Sequence, residues 1–213
     1  MNRHAPATFD CLQLGVVVDN RDPDGRGRVK LRLSALDMEL WASVVAPSAG
    51  PGYGASFVPR LDEIAVVAFV SPDMPVVIGS IWSGADSVPQ EAEPQESNYV
   101  IRTPAGTVVE FDDNGPRLEL RMPGGGRVTL SDGGGGSVEV ELGGQNVVVT
   151  PADITVHSSG TLTIEAGGTV NVSAPMVKVD AAMSRFSGVV QADTVITNAV
   201  VSASYTPGAG NIW

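Results

Sequence analysis

Residues 136–172 read GSVEVELGGQNVVVTPADITVHSSGTLTIEAGGTVNV, and a period of eight runs through them. Gly136, Gly144, Gly160 and Gly168 share one register. Two positions later stand Val138, Asn146, Ile154, Leu162 and Val170, and two beyond those Val140, Val148, Val156, Ile164 and Val172. Apolar residues at alternate positions describe strands with one buried face, and the glycines mark the turns between them. Eight residues make one strand and one corner. A single-chain solenoid needs roughly eighteen or more per rung to close on itself. Three identical chains, each giving one side of a triangular prism, solve the problem. The expected fold is therefore all-β and homotrimeric, with an intertwined triple-stranded β-helix as its C-terminal half.

Working outward, the pattern extends from 99 to 204 as the needle. Its first part has a spacing of ten: Leu118/Leu120, Val128/Leu130 and Val138/Val140, with glycine clusters at 124–126 and 133–136. No aromatic residue lies between Phe111 and Phe186, and no basic one between Arg127 and Lys178. A narrow axis of aliphatic side chains explains the first gap, with rungs about 4.8 Å apart. Glu139, Glu141, Asp153 and Glu165 then make the shaft acidic. Past Lys178 the register breaks, with Val177 and Val179 one residue early, so a change of width or twist is expected there.

Toward the N-terminus, residues 83–98 (SGADSVPQEAEPQESN) hold Asp86, Glu91, Glu93 and Glu96 and no basic residue, the composition of a solvated linker. Residues 10–82 alternate strand-like runs with turns. Asp22-Pro23-Asp24-Gly25 is strong turn chemistry. Strands are expected at 14–18, 29–33, 40–45, 64–69 and 75–81, which suits a small closed barrel of the OB type. Residues 1–9 form an N-terminal arm and 205–213 a tip.

Composition narrows the function. The chain of 213 residues is 43% hydrophobic but 5% aromatic, with 25 glycines and 15 prolines. Thirteen basic against 24 acidic residues leave a net charge of −11, which opposes binding to a phosphate backbone, so no nucleic-acid partner is expected. One cysteine, Cys11, allows no intrachain disulfide. With neither a signal-peptide pattern nor an apolar run of transmembrane length, synthesis as a soluble cytoplasmic protein is expected.

Residues 15–82 resemble the N-terminal barrel of phage baseplate assembly protein V and of the valine-glycine repeat spike proteins of type VI secretion. The likeness is carried by Gly27-Arg28-Val29-Lys30-Leu31-Arg32-Leu33, Trp41-Ala42-Ser43-Val44-Val45-Ala46-Pro47, Ala49-Gly50 with Gly52-Tyr53-Gly54, Phe57 to Val66, and Met74 to Trp82. Tyr205-Thr206-Pro207-Gly208-Ala209-Gly210-Asn211 resembles the tip of short phage spikes. The resemblance implies a homotrimeric central spike of a phage tail or related contractile machine. Its barrel would meet inner tube and baseplate hub, and its needle would pierce the target outer membrane. Larger relatives carry enzymes, but 83–98 leaves no room for one. Some short spikes hold iron on a His-x-His pair. Here the histidines are His4 and His157, so no metal is expected from that motif.

Candidate sites follow. Arg26, Arg28, Lys30, Arg32 and Arg60, set among Asp19, Asp22 and Asp24, could contact the tube ring; a solvated strand face is the competing reading. Tyr205, Pro207, Asn211, Ile212 and Trp213 form the candidate tip contact. The apolar Ile212-Trp213 end either folds back to seal the prism or seats a PAAR-type capping protein. Asp112-Asp113 precedes Asn114-Gly115 and reads as a turn, since adjacent strand residues face opposite ways. Trp41 and Trp82 read as barrel packing. No nucleophile elbow, zinc helix or phosphate loop is present, so no catalytic residue or cofactor is expected. The rival function is a trimeric tail fibre binding a receptor or glycan.

Overall fold

A computed structural model describes residues 12–85, 87–94 and 96–203. Those residues fall into two compact units that divide between Leu162 and Thr163. The first unit holds every strand. Among the described residues no helix is long and apolar enough to cross a membrane.

Five strands close a barrel: β1 (Gln13–Asp19), β2 (Arg28–Leu33), β3 (Met38–Val44), β6 (Ile64–Ser71) and β7 (Met74–Ile81), in the cyclic order β1-β2-β3-β7-β6. All pairs are antiparallel except β3 with β7, where Ser43 meets Val76 and Val44 meets Val77 in parallel. Strand alternation sends Val17, Val29, Leu31, Leu33, Ala42, Ala65, Val67 and Val77 inward, where they form the core. Gly15 faces the same interior, and a Cβ there would stand 2.8 Å from Leu33. The five expected strands are thus observed. A two-strand hairpin, β4 (Ala49–Gly50) with β5 (Tyr53–Gly54), interrupts the long β3–β6 connection.

The segment 83–98 differs from a free linker. A short 3-10 turn (Gln90–Ala92) is fastened to β8 (Asn98–Arg102). The Asn98 amide donates to the carbonyls of Glu91 and Glu93, each at 3.1 Å, and Arg102 donates to the Glu91 carboxylate. Glu91 finds a partner that its own segment lacks.

Seven strands then follow one another as an antiparallel meander, β8, β9 (Val108–Asp112), β10 (Arg117–Arg121), β11 (Arg127–Ser131), β12 (Ser137–Leu142), β13 (Gln145–Val149) and β14 (Ile154–Ser158). This corrects the expected course of the chain. From 98 to 158 each strand finds its neighbours in the same chain, so this part is not an intertwined coil. The physical reason lies in the turns. Leu142 pairs with Gln145 across Gly143-Gly144, a two-residue reversal that only a hairpin accommodates. Gly143 has φ +58°, and a Cβ on Gly144 would come within 2.6 Å of Ser159 Oγ.

The register separates the two faces of this sheet. Tyr99, Phe111, Leu118, Leu130, Val138, Val149 and Ile154 stand in one cross-strand row. Ile101, Val109, Leu120, Val128, Val140, Val147 and Val156 form the next row on the same face. The opposite face carries Glu110, Glu119, Thr129, Glu139, Val148 and Thr155, with Arg121, Arg127, Glu141, Asn146 and His157 beside them.

Among the described residues, none from 159 to 201 lies in a strand, and every residue from 159 to 203 is exposed. It bends at Gly160, Gly168, Pro175, Ala182, Gly188, Asp193, Asn198 and Ala203. The steps between bends are eight, seven, seven, six, five, five and five residues. The eight-residue period shortens along the segment, and the sequence break near Lys178 lies where it does so.

Candidate functional site

The basic residues of the barrel resolve into three settings. The loop after β1 is built on Asp22. Its carboxylate accepts the backbone N–H groups of Asp24, Arg26 and Arg28 at 3.1, 2.8 and 3.2 Å, and the Arg28 Nε and Nη2 at 3.1 and 2.7 Å. Gly25 and Gly27, at φ +65° and +71°, let the loop curl around that carboxylate. The Arg28 guanidinium, bonded to it, holds Asp22 well below the usual carboxylate range despite burial, with the backbone donors helping. Arg28 also reaches Asp24 at 2.7 Å and lies 5.7 Å from the Trp41 ring centre, within cation–π range.

Lys30 and Arg32 share a second partner. Lys30 Nζ is 2.7 Å and Arg32 Nη2 3.2 Å from the Glu39 carboxylate on β3. Lys30 first, then Arg32, draws Glu39 below its ordinary range. Arg26 and Arg60 stand apart from these pairs. Arg26 lines a groove of about 380 Å³ under the β4–β5 hairpin, and Arg60 a hollow of about 730 Å³ with Asp19, Arg21 and Glu63. The structure does not gather the five residues into one basic patch; the charges of Arg28, Lys30 and Arg32 are balanced within the chain.

A charged cluster that sequence reasoning missed lies on the polar face of the sheet. Glu110 and Glu119 are cross-strand neighbours, 6% and 3% exposed, and would repel if left alone. Arg117 bridges them at 3.1 and 3.1 Å, and Arg121 at 2.9 and 3.0 Å. Arg121 also approaches Glu91 at 3.7 Å, which ties the 83–98 segment into the cluster. The signal lies in Arg117-Leu118-Glu119-Leu120-Arg121, whose charges alternate with the apolar pair Leu118/Leu120.

Apolar surface is also left exposed on the opposite face of the sheet. In the two rows of the sheet Tyr99, Phe111, Leu130, Val140 and Val156 are exposed, as are Leu162 at the end of the first unit and Ile164, Val170 and Val172 in the second. Asp112 and Asp113 occupy a strand end and a turn, where Asp112 accepts the Asn114 N–H at 2.9 Å. Trp41 is half-buried beside Arg28, and Trp82 is exposed. His157 pairs with Asn146 on the polar face, away from the apolar rows. Among the described residues no group of three His, Cys, Asp or Glu side chains is placed to hold a metal. Cys11, His4 and the tip residues Tyr205, Pro207, Asn211, Ile212 and Trp213 lie outside the described residues.

Compared with known families, residues 13–82 match the type VI secretion system/phage-baseplate injector OB domain. The match spans the closed barrel and stops at Trp82. No curated protein matches the chain.

Proposed function

We propose, from the premise that residues 13–82 of this chain belong to the injector OB-domain family, that the protein is the central spike of a contractile injection machine, without catalytic activity of its own. Its role is structural. Three copies assemble through the apolar sheet face and the segment that follows it, the barrel end seats on inner tube and baseplate hub, and the needle end leads through the target envelope.

The observation that carries this reading is the state of residues 159–201. Every one of them is exposed, and among the described residues none of them lies in a strand. Leaving so many N–H and C=O groups and apolar side chains to water is untenable for a firm structure. Strands of sister chains supply both missing partners at once. Three meanders with their apolar rows turned inward give a dry prism whose charged faces look outward. The segments beyond meet the same need by pairing with their counterparts in sister chains.

Tube contact through the barrel is part of the proposal, with Arg26 and Arg60 better placed than the balanced Arg28, Lys30 and Arg32. A PAAR-type cap on Tyr205, Pro207, Asn211, Ile212 and Trp213 belongs to it as well. Sedimentation equilibrium of the full chain tests the core of the idea. Three chain masses are expected, with a band that resists detergent at room temperature. A folded monomer would overturn it, and imaging of intact particles distinguishes a central spike from a peripheral fibre.

A further inference from the structure

The barrel presents two outer surfaces of opposite character. Outward positions on β2 and β3 carry Arg28, Lys30, Arg32 and Glu39, and these charges are matched within the chain, so that surface is complete in water. Outward positions on β1, β6 and β7 are different. Because Val17, Ala65, Val67 and Val77 point into the core, alternation turns their neighbours out. Leu14 pairs with Val66, Val16 with Ile64, and Ile64 with Ile81, so apolar side chains adjoin across three strands. Leu14 is 54% exposed, Val70 68% and Met74 53%. Residues 14–18, 64–70 and 74–81 contain no charged residue. A contiguous apolar face of this width marks an interaction surface.

We infer that the β1–β6–β7 face packs against the barrels of sister copies of this chain. The inference rests on the trimeric reading above. Its occupant follows from connection and chemistry. β7 ends at Ile81, and the chain passes from there into the sheet whose own apolar rows call for sister chains. Barrels tethered to one needle meet at an effective concentration on the order of millimolar, far above that of any separate protein. The barrel is closed, so no strand can add to its edge, and contact has to be side chain on side chain. A face without charge accepts only an equally apolar partner, and the sister barrel carries one. The β2–β3 surface, with Arg28, Lys30 and Arg32, is then turned outward from the group of barrels.

Photo-crosslinking in the full chain tests this. A benzophenone amino acid is placed at Val70 in one variant and at Arg32 in another, and each is sedimented before irradiation. The expected result is a trimer in which Val70 attaches to residues 12–82 of another copy and Arg32 does not. Met74→Glu should leave the needle trimeric while raising binding of an apolar dye to the barrels. A trimer with no Val70 crosslink to a sister barrel, whose unaltered barrels already bind the dye, overturns the inference and leaves the spike assembly standing. A monomer removes both.

Discussion

Asp22 accepts five hydrogen bonds from its own loop and from Arg28, which makes one carboxylate the organiser of the β1–β2 connection. Its folded pKa lies below the unfolded value of about 3.9, so its contribution is complete above that pH. It is lost as pH falls through the depressed folded pKa. Asp22→Asn should therefore lower the barrel's melting temperature at neutral pH by a few degrees. The gap to the parent protein should close only in strong acid, which thermal unfolding followed across pH will register. A gap that widens on acidification would contradict the geometry. Residue-scale chemistry of this kind was partly legible: Asp-Pro-Asp-Gly announced a turn, but not which carboxylate would gather the donors.

At the scale of elements, the polar face of the sheet depends on two arginines that each serve two buried glutamates. Removing one guanidinium leaves carboxylates facing each other with half their compensation. Arg121→Ala should cost about 3 kcal/mol in a denaturant titration, the typical penalty for stranding a buried charge. Arg127, which reaches Glu119 at 3.6 Å, is half-exposed, and its loss should cost well under that. The opposite face makes a different demand. Val140→Glu puts a charge into the apolar row and should abolish the proposed trimer in sedimentation, whereas Glu139→Gln, one position away on the polar face, should leave it intact.

The same elements show what a sequence discloses. Barrel strands were readable because each has one buried face and a turn on either side. Alternating, glycine-punctuated strands from 99 to 158 fit both an intertwined coil and a hairpin meander, since both bury every second residue. Turn geometry separates them, and Gly143-Gly144 decides for the hairpin. Charged partners such as Glu91 with Arg102 and Arg121 join across turns, where spacing along the chain gives little guide.

For the whole molecule, hydrogen exchange offers the sharpest check. Among the described residues the amides from 159 to 201 lie in no strand, so in an isolated copy they should exchange at nearly the rate of free peptide. In the assembly proposed they should be as slow as those of the barrel core. Rapid exchange in that stretch, from a preparation whose barrel amides remain protected, would refute intertwining whatever the measured mass.

The shortening steps between bends, from eight residues after Gly160 to five after Gly188, have a mechanical meaning. In the trimer proposed, three chains coiled about one axis would enclose a triangle whose side follows the step length, and area follows the square of the side. The section at the far end is then about two-fifths of that at the start, since strand rise per residue hardly changes. In such a coil an axial load would meet that smaller section as a stress about two and a half times greater. On the reading proposed, sharpness is written into where the chain turns.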